Sequence, residues 1–257
     1  PNVPTENCTV ARDVQIEEGT TEDWKKLSGF HYRSHTFGAP RNIFCLKKGE
    51  ELCGVIIYSF PPLTCFGRAK VLPKMPLDEL NKKLSTVSRV VVHPKYRSIG
   101  LGSLLLKKSL PLAGTPFVEM VAVMAKYNPF AEKAGMKKIA ESKPSKHTLQ
   151  ALEQLKKLGF DTLTLNSPRC CGRTIKKVGK KAVTKVLIEL AENEGSVRRV
   201  LLGNSKAYPN LAQFAEKLES LDESRLAAVL KRLSFLAQSK AYLFWQNPTS
   251  KAILGTS

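Results

Sequence analysis

Residues Val90 to Leu106 (Val-Val-Val-His-Pro-Lys-Tyr-Arg-Ser-Ile-Gly-Leu-Gly-Ser-Leu-Leu-Leu) constrain this chain more than any other stretch. Three β-branched residues give way to a short basic turn with two glycines and then to a leucine-rich run, so the pattern is strand, turn, amphipathic helix. A helix entered in this way leaves its first amides unpaired and aims them, with the positive end of the helix dipole, at an anion. Gly100 and Gly102 let the backbone approach a ligand closely or take a positive φ without a Cβ penalty. A diphosphate is the expected guest.

Two common diphosphate-binding patterns are excluded, because the chain contains neither Gly-x-Gly-x-x-Gly nor a loop ending in Gly-Lys-Ser/Thr. The turn reads Arg97-x-x-Gly100-x-Gly102 behind Val92-His93-Pro94. It resembles the acetyl-coenzyme A loop of the GNAT superfamily of N-acetyltransferases, where Gln/Arg-x-x-Gly-x-Gly/Ala follows a strand ending in Val-x-Pro. The resemblance covers about residues 10–140. It implies an α+β fold with a mixed, mostly antiparallel sheet flanked by helices, and acetyl-CoA as cosubstrate. It further implies that the edge at Val90, Val91 and Val92 pairs with the pantetheine arm. The amides of Ser98, Ile99, Gly100, Leu101, Gly102 and Ser103 would then hold the diphosphate, with charge from Arg97 and Lys95 and with Asn128 at the same site.

The flanking pattern suits that fold. Residues 9–17 alternate like a strand, and Thr20 followed by Glu22 and Asp23 opens a helix. Runs 42–46 and 52–60 read as a hairpin ended by Pro61-Pro62. Residues 63–85 are polar and unassigned. A strand is expected at 87–93, a helix at about 102–110 stopped by Pro111, a buried strand at 117–124, a short helix at 128–134 closed by Gly135, and a strand from Met136. Beyond Lys143-Pro144-Ser145 the periodicity is helical over 148–158, 176–192, 195–202, 210–221 and 223–238, with Asp222 as an N-cap. Two domains follow: 1–144, GNAT-like, and 145–257, basic and mainly helical.

The formal charge is +19, from 41 Lys and Arg against 22 Asp and Glu. Before residue 145 the count is 22 against 13, and from there on 19 against 9, so the coenzyme site alone does not account for the excess. Such a balance favours polyanions: coenzyme A, a phosphorylated substrate or nucleic acid. No apolar run is long enough to span a bilayer, and the start lacks a signal-peptide profile. Six cysteines without a Cys-x-x-Cys pair suit a reduced, cytoplasmic location and give no zinc pattern. Cys170-Cys171 lies beside Arg169 and Arg173, either as a thiol of lowered pKa or as ordinary packing.

Acetyl transfer needs a positioned thioester, a donor on its carbonyl and a route for the amine proton. The segment Phe30-His31-Tyr32-Arg33-Ser34-His35 holds two histidines, a residue type that titrates near neutral pH, so His31 with Tyr32 reads as a proton acceptor, as a cluster for substrate phosphate or as packing against the next helix. Glu119 inside an apolar strand reads as a buried base or as a residue facing a polar cleft. Many GNAT members carry an acidic tyrosine four residues before the Gly-hydrophobic step, but here that position is Ala131. Either Tyr127, one helical turn earlier, takes its place, or the thiolate leaves without protein help and Tyr127 is simple packing.

The run His31-Tyr32, Pro40-Arg41-Asn42, Glu51-Leu52-Cys53-Gly54-Val55 and Pro61-Pro62 also resembles the opening of Mom-like phage DNA-modification proteins and of archaeal fusions of an ABC-type ATPase to an acetyltransferase-like domain. That resemblance implies a nucleic-acid amine, in tRNA or DNA, as acceptor and an ATPase module as an associate. Arg33 and Arg41 would then meet nucleic acid. Arg169, Arg173, Lys176, Lys177, Lys180, Lys181 and Lys185 recur at helical spacing as a stripe able to track phosphates, or as a solvated face. Three readings stand: an acetyltransferase acting on nucleic acid, one acting on protein or a small amine, and a GNAT-fold nucleic-acid-binding module without turnover.

Overall fold

The computed structural model describes residues 13–31, 39–123, 128–203 and 210–249. The chain forms two units, one from the residues up to Glu141 together with those from Lys240, the other from Ser142–Ser239. The first unit holds a seven-stranded sheet in the order β1 (Val14–Glu18), β2 (Pro40–Lys48), β3 (Glu51–Ser59), β4 (Leu84–Val92), β5 (Phe117–Val123), β7 (Lys240–Gln246), β6 (Lys137–Ser142). Pairing is antiparallel from β1 to β4 and between β5 and β7, and parallel between β4 and β5. This is the mixed, mostly antiparallel α+β arrangement that the sequence leads one to expect.

Alternation along β2 and β3 sorts side chains onto two faces. Leu46, Ile56 and Tyr58 pack with Leu101, Leu105 and Leu106 of helix α3 (Leu101–Ser109) on one face. On the other, Cys45, Val55 and Ile57 meet Trp24 and Leu27 of α1 (Thr21–Ser28). Thr20 and Asp23 cap α1 reciprocally, each side chain accepting from the other's backbone amide. The unassigned stretch after β3 contains α2 (Leu77–Lys83), and α4 (Phe130–Lys133) follows β5.

The strand β7 corrects the expected boundary at 144. The segment 145–257 does not stay together: Lys240–Gln246 inserts between β5 and β6 and pairs with β5 along its whole length, from Phe117↔Gln246 to Val123↔Lys240. Its aromatic run, Tyr242-Leu243-Phe244-Trp245, is typical of strands, and the Phe244 ring stacks on Phe117 at 5.4 Å.

The second unit is helical: α5 (Lys146–Lys157), α6 (Pro168–Val178), α7 (Lys180–Asn193), α8 (Val197–Leu202), α9 (Leu211–Ser220) and α10 (Glu223–Leu236) around Leu155, Ile175, Leu187, Phe214 and Leu230. Asp222 caps α10, its carboxylate accepting from the Arg225 amide at 2.8 Å. The expected helix from residue 176 is two helices, because Gly179 at φ 86° interrupts it and leaves Lys176 and Lys177 at the end of α6.

Candidate active site

Strands β4 and β5 pair over three residues only, Leu84↔Phe117 to Thr86↔Glu119, although each continues for several more. The register of β4 against β3 slips where Ile57 faces Arg89 and Tyr58 faces Val87, so Ser88 is an extra residue at the point of departure. A bulge bends its strand away from its neighbour and is a recurrent device beside active sites. A cleft opens from there.

The His93 amide donates to the Cys53 carbonyl at 2.9 Å, which fixes the alternation along β4. Val91, opposite Val55, turns its polar backbone groups to β3, whereas Val90 and Val92 turn theirs to the cleft. Val90 and Val92 can therefore pair with an extended ligand and Val91 cannot, a correction to the expectation for that residue. The Val92 carbonyl accepts from Arg97 Nε at 3.1 Å.

After β4 the chain makes one turn of 3₁₀ helix at Pro94–Tyr96, capped by His93, whose Nδ1 accepts from the Lys95 amide at 3.3 Å. Lys95 and the hydroxyl of Tyr96 both bond the Glu51 carboxylate, which holds that carboxyl below its ordinary value and pins the turn to β3. Ser98 takes φ 67°, an uncommon conformation for a residue with a Cβ, and Gly100 takes φ 89° directly before α3. The amides from Ser98 to Ser103 have no hydrogen-bond partner among the described residues, and no side chain caps α3. Unpaired amides at the start of a helix are an arrangement that can hold an anion.

The cleft beside them measures about 760 Å³ and is lined by Val90, Val91, Val92, Tyr96, Arg97, Ser98, Gly100, Leu101, Gly102, Ser103, Asn128, Phe130 and Lys133, with Phe30 and His31 at its wall. A smaller cavity of about 200 Å³ shares His31, Val90, Asn128 and Phe130 with it and continues between the diverging strands to Ser88, Arg89, Met120 and Ala122. His31 thus stands where the two meet, its ring edge-on to Trp24 at 5.6 Å. Ile99 packs its side chain on the core, so only its backbone serves the turn. Arg97 donates to the carbonyls of Val92 and Phe30, each at 3.1 Å, so it staples the turn to the end of α1 as well as lending charge.

Glu119 is not at the cleft. It is fully buried, with Arg68 forming a two-pronged pair to it at 2.6 and 2.9 Å, Thr86 donating at 2.8 Å and Tyr242 at 2.9 Å. A carboxylate saturated in this way is a structural tie rather than a base, because every lone pair that would take a proton is already engaged. Arg41 is also turned inward. Its guanidinium sits over the Phe60 ring at 4.4 Å and donates to the Asn81 carbonyl, which removes it from the expected set of phosphate contacts. Tyr32, Arg33 and Tyr127 lie outside the described residues. Sequence reasoning missed Arg89, Phe130 and Lys133. Lys133 could have been found as the cation five residues past Asn128, whereas nothing local marks Arg89.

In the second unit Arg169, Arg173, Lys176 and Lys177 are exposed on α6, and Lys181 and Lys185 on α7, with Lys180 half-buried. Lys176 reaches Glu223 at 3.8 Å and Lys180 donates to the Glu219 carbonyl at 3.5 Å. The seven cations are therefore spread over two helices rather than one face of one helix.

Residues 11–136 match the model of the Acetyltransferase (GNAT) family. No curated protein matches the chain significantly. Similar solved structures include a GNAT family acetyltransferase from Elizabethkingia anophelis with acetyl-CoA bound, 11% identical over 52% of this chain and 82% of that one, TM-score 0.35. The ribosomal-protein-S18-alanine N-acetyltransferase of Escherichia coli is 17% identical over 52% and 85%, TM-score 0.33. A putative acetyltransferase from Pyrococcus horikoshii is 10% identical over 91% and 90%, TM-score 0.38. The family match takes in the diverging strands β4 and β5 and the amide-lined turn, so residues 11–136 are similar to the GNAT acetyltransferases.

Proposed function

We propose that this protein transfers an acetyl group from acetyl-CoA to an amine carried on a nucleic acid. The observation that carries the transfer is the cradle of amides from Ser98 to Ser103 at the mouth of the β4–β5 cleft. The diphosphate sits on those amides, with Lys133 and Arg97 adding charge, and the pantetheine arm pairs with Val90 and Val92 beside Asn128. The amine nitrogen attacks the thioester carbonyl carbon, the C–S bond breaks, and the proton lost by nitrogen ends on the coenzyme A thiolate. His31, at the junction of the two cavities, relays that proton. Tyr32 and Tyr127 stand in the flanking segments as donors to the thiolate.

The acceptor class rests on charge and resemblance. The formal charge of +19 is spread over both halves of the chain, and the exposed cations of α6 and α7 offer a phosphate-tracking surface. The likeness of residues 31–62 to Mom-like proteins and to ATPase fusions points the same way, with an ATPase module as an associate. Incubation with labelled acetyl-CoA and total tRNA, DNA and protein in parallel tests this. Label in a nucleic-acid fraction supports the proposal, and label confined to protein overturns the acceptor class.

A further inference from the structure

The helical unit has a groove of its own. Between α7 and α9 a cavity of about 760 Å³ is lined by Lys180, Lys181, Thr184, Lys185 and Ile188 of α7 and by Glu219 of α9. Steps of three and four residues put the five α7 positions on one face of the helix. Lys180 closes one end, its ammonium donating to the Glu219 carbonyl at 3.5 Å in the last turn of α9, where a helix leaves carbonyls without a partner. Thr184 is buried and its hydroxyl donates to the Lys181 carbonyl at 3.1 Å. The ammonium groups of Lys181 and Lys185 have neither ion pair nor hydrogen bond among the described residues, and Glu6 is the one acid of the chain that lies outside those residues. The described walls thus set three cations against the single carboxylate of Glu219.

The cations and the apolar wall of this groove suit different parts of one ligand. Lys181 and Lys185 stand one helical turn apart, about 5–6 Å between their Cβ atoms, a spacing that successive phosphates of a strand can bridge. Ile188 is half-buried and packs on the core of the unit, so with the lysine stems it gives the groove an apolar wall. A duplex shows only sugars, phosphates and base edges, with its base faces stacked inside, so it would meet the lysines and leave that wall in water. A flat anionic membrane surface would likewise reach the cations alone. An unpaired nucleotide has both a phosphate for the lysines and a base face to lay on the wall. We infer that the α7–α9 groove binds an unpaired nucleotide of a single-stranded nucleic acid, with phosphates on Lys181 and Lys185 and the base against Ile188. The inference rests on the reading of the acceptor as a nucleic acid and gives the form of that acceptor, a strand with unpaired nucleotides.

Fluorescence anisotropy with the full chain tests it, using a labelled single strand of about 12 nucleotides and the blunt duplex of the same sequence. Charge density alone favours the duplex, so a single strand bound at least about fivefold more tightly at equal salt is the expected mark of the groove. Lys181→Gln with Lys185→Gln should weaken the single strand by about tenfold and flatten its salt slope by about 1.4, two phosphates at about 0.7 each. Ile188→Ala should weaken the single strand by about threefold and leave the duplex unchanged. A control pair, Lys156→Gln with Lys157→Gln, removes the same charge from α5 and should change either affinity by no more than about twofold. Lys181 and Lys185 are exposed, so their double variant keeps the test decisive should Ile188→Ala fail to fold. A duplex bound as tightly as the single strand, a lysine pair no more costly than the α5 control, or tighter binding to vesicles of phosphatidylcholine and phosphatidylserine than to the single strand overturns the inference. If neither nucleic acid binds, the reading of the acceptor as nucleic acid falls and takes this one with it. If both bind without preference, only the role assigned to the groove falls.

Discussion

Gly100 is the residue on which the cradle turns. At φ 89° it reverses the chain so that the amides before and after it converge, and an L side chain there costs about 1–2 kcal/mol. Gly100→Val should weaken acetyl-CoA binding by about tenfold, since that strain falls on the binding conformation, with a melting temperature lowered by only a few degrees. Calorimetry and a thermal melt check both. Arg68 carries a different burden. Removing it leaves Glu119 charged and unpaired in the core, so Arg68→Ala should destabilise the sheet unit by about 3–5 kcal/mol, read by denaturant unfolding. Were Glu119 a base, Glu119→Gln would abolish transfer. With the role described here it lowers stability and leaves kcat nearly unchanged in the fraction that remains folded. The turn at 97–103 was legible in sequence because spacing and residue type are local. Glu119 was not, because its guanidinium partner lies 51 residues earlier and nothing near either residue announces the pair.

Among the secondary elements, strands and helices with strong periodicity fall close to where the sequence puts them, as the hairpin β2–β3 and the capped helices α1 and α10 do. Two exceptions have physical causes. Gly179 looks like a tolerable glycine within a helical run, yet the chain takes a positive φ there and starts a new helix, a choice that packing makes rather than propensity. The strand β7 is readable as a strand but its destination is not, since pairing across more than a hundred residues leaves no local trace. It follows that a fragment ending at residue 144, which looks like a whole domain, lacks the strand between β5 and β6. Such a fragment should be insoluble or lack a cooperative melt, and joining residues 240–249 to it through a flexible linker should restore one. Circular dichroism on the two polypeptides decides.

For the molecule as a whole, charge is the property with the longest reach. If the cations of α6 and α7 contact phosphates, the logarithm of the affinity for RNA or duplex DNA should fall with the logarithm of salt concentration at a slope of about −4 to −6, by the rule of about −0.9 per neutralised phosphate. Replacing Lys176, Lys177, Lys181 and Lys185 by Gln should flatten that slope by about 3 to 4 while leaving acetyl-CoA affinity intact, as titrations at three salt concentrations will show. A sheet closed by its latest strand has one more effect, on synthesis. The ribosome delivers β1 to β6 first, then the whole helical unit, and only then the seven residues that fill the gap beside β5. Until they emerge, two strand edges stay open and the nascent protein is exposed to mispairing, so a stalled or prematurely terminated chain will need chaperone cover that the finished one does not.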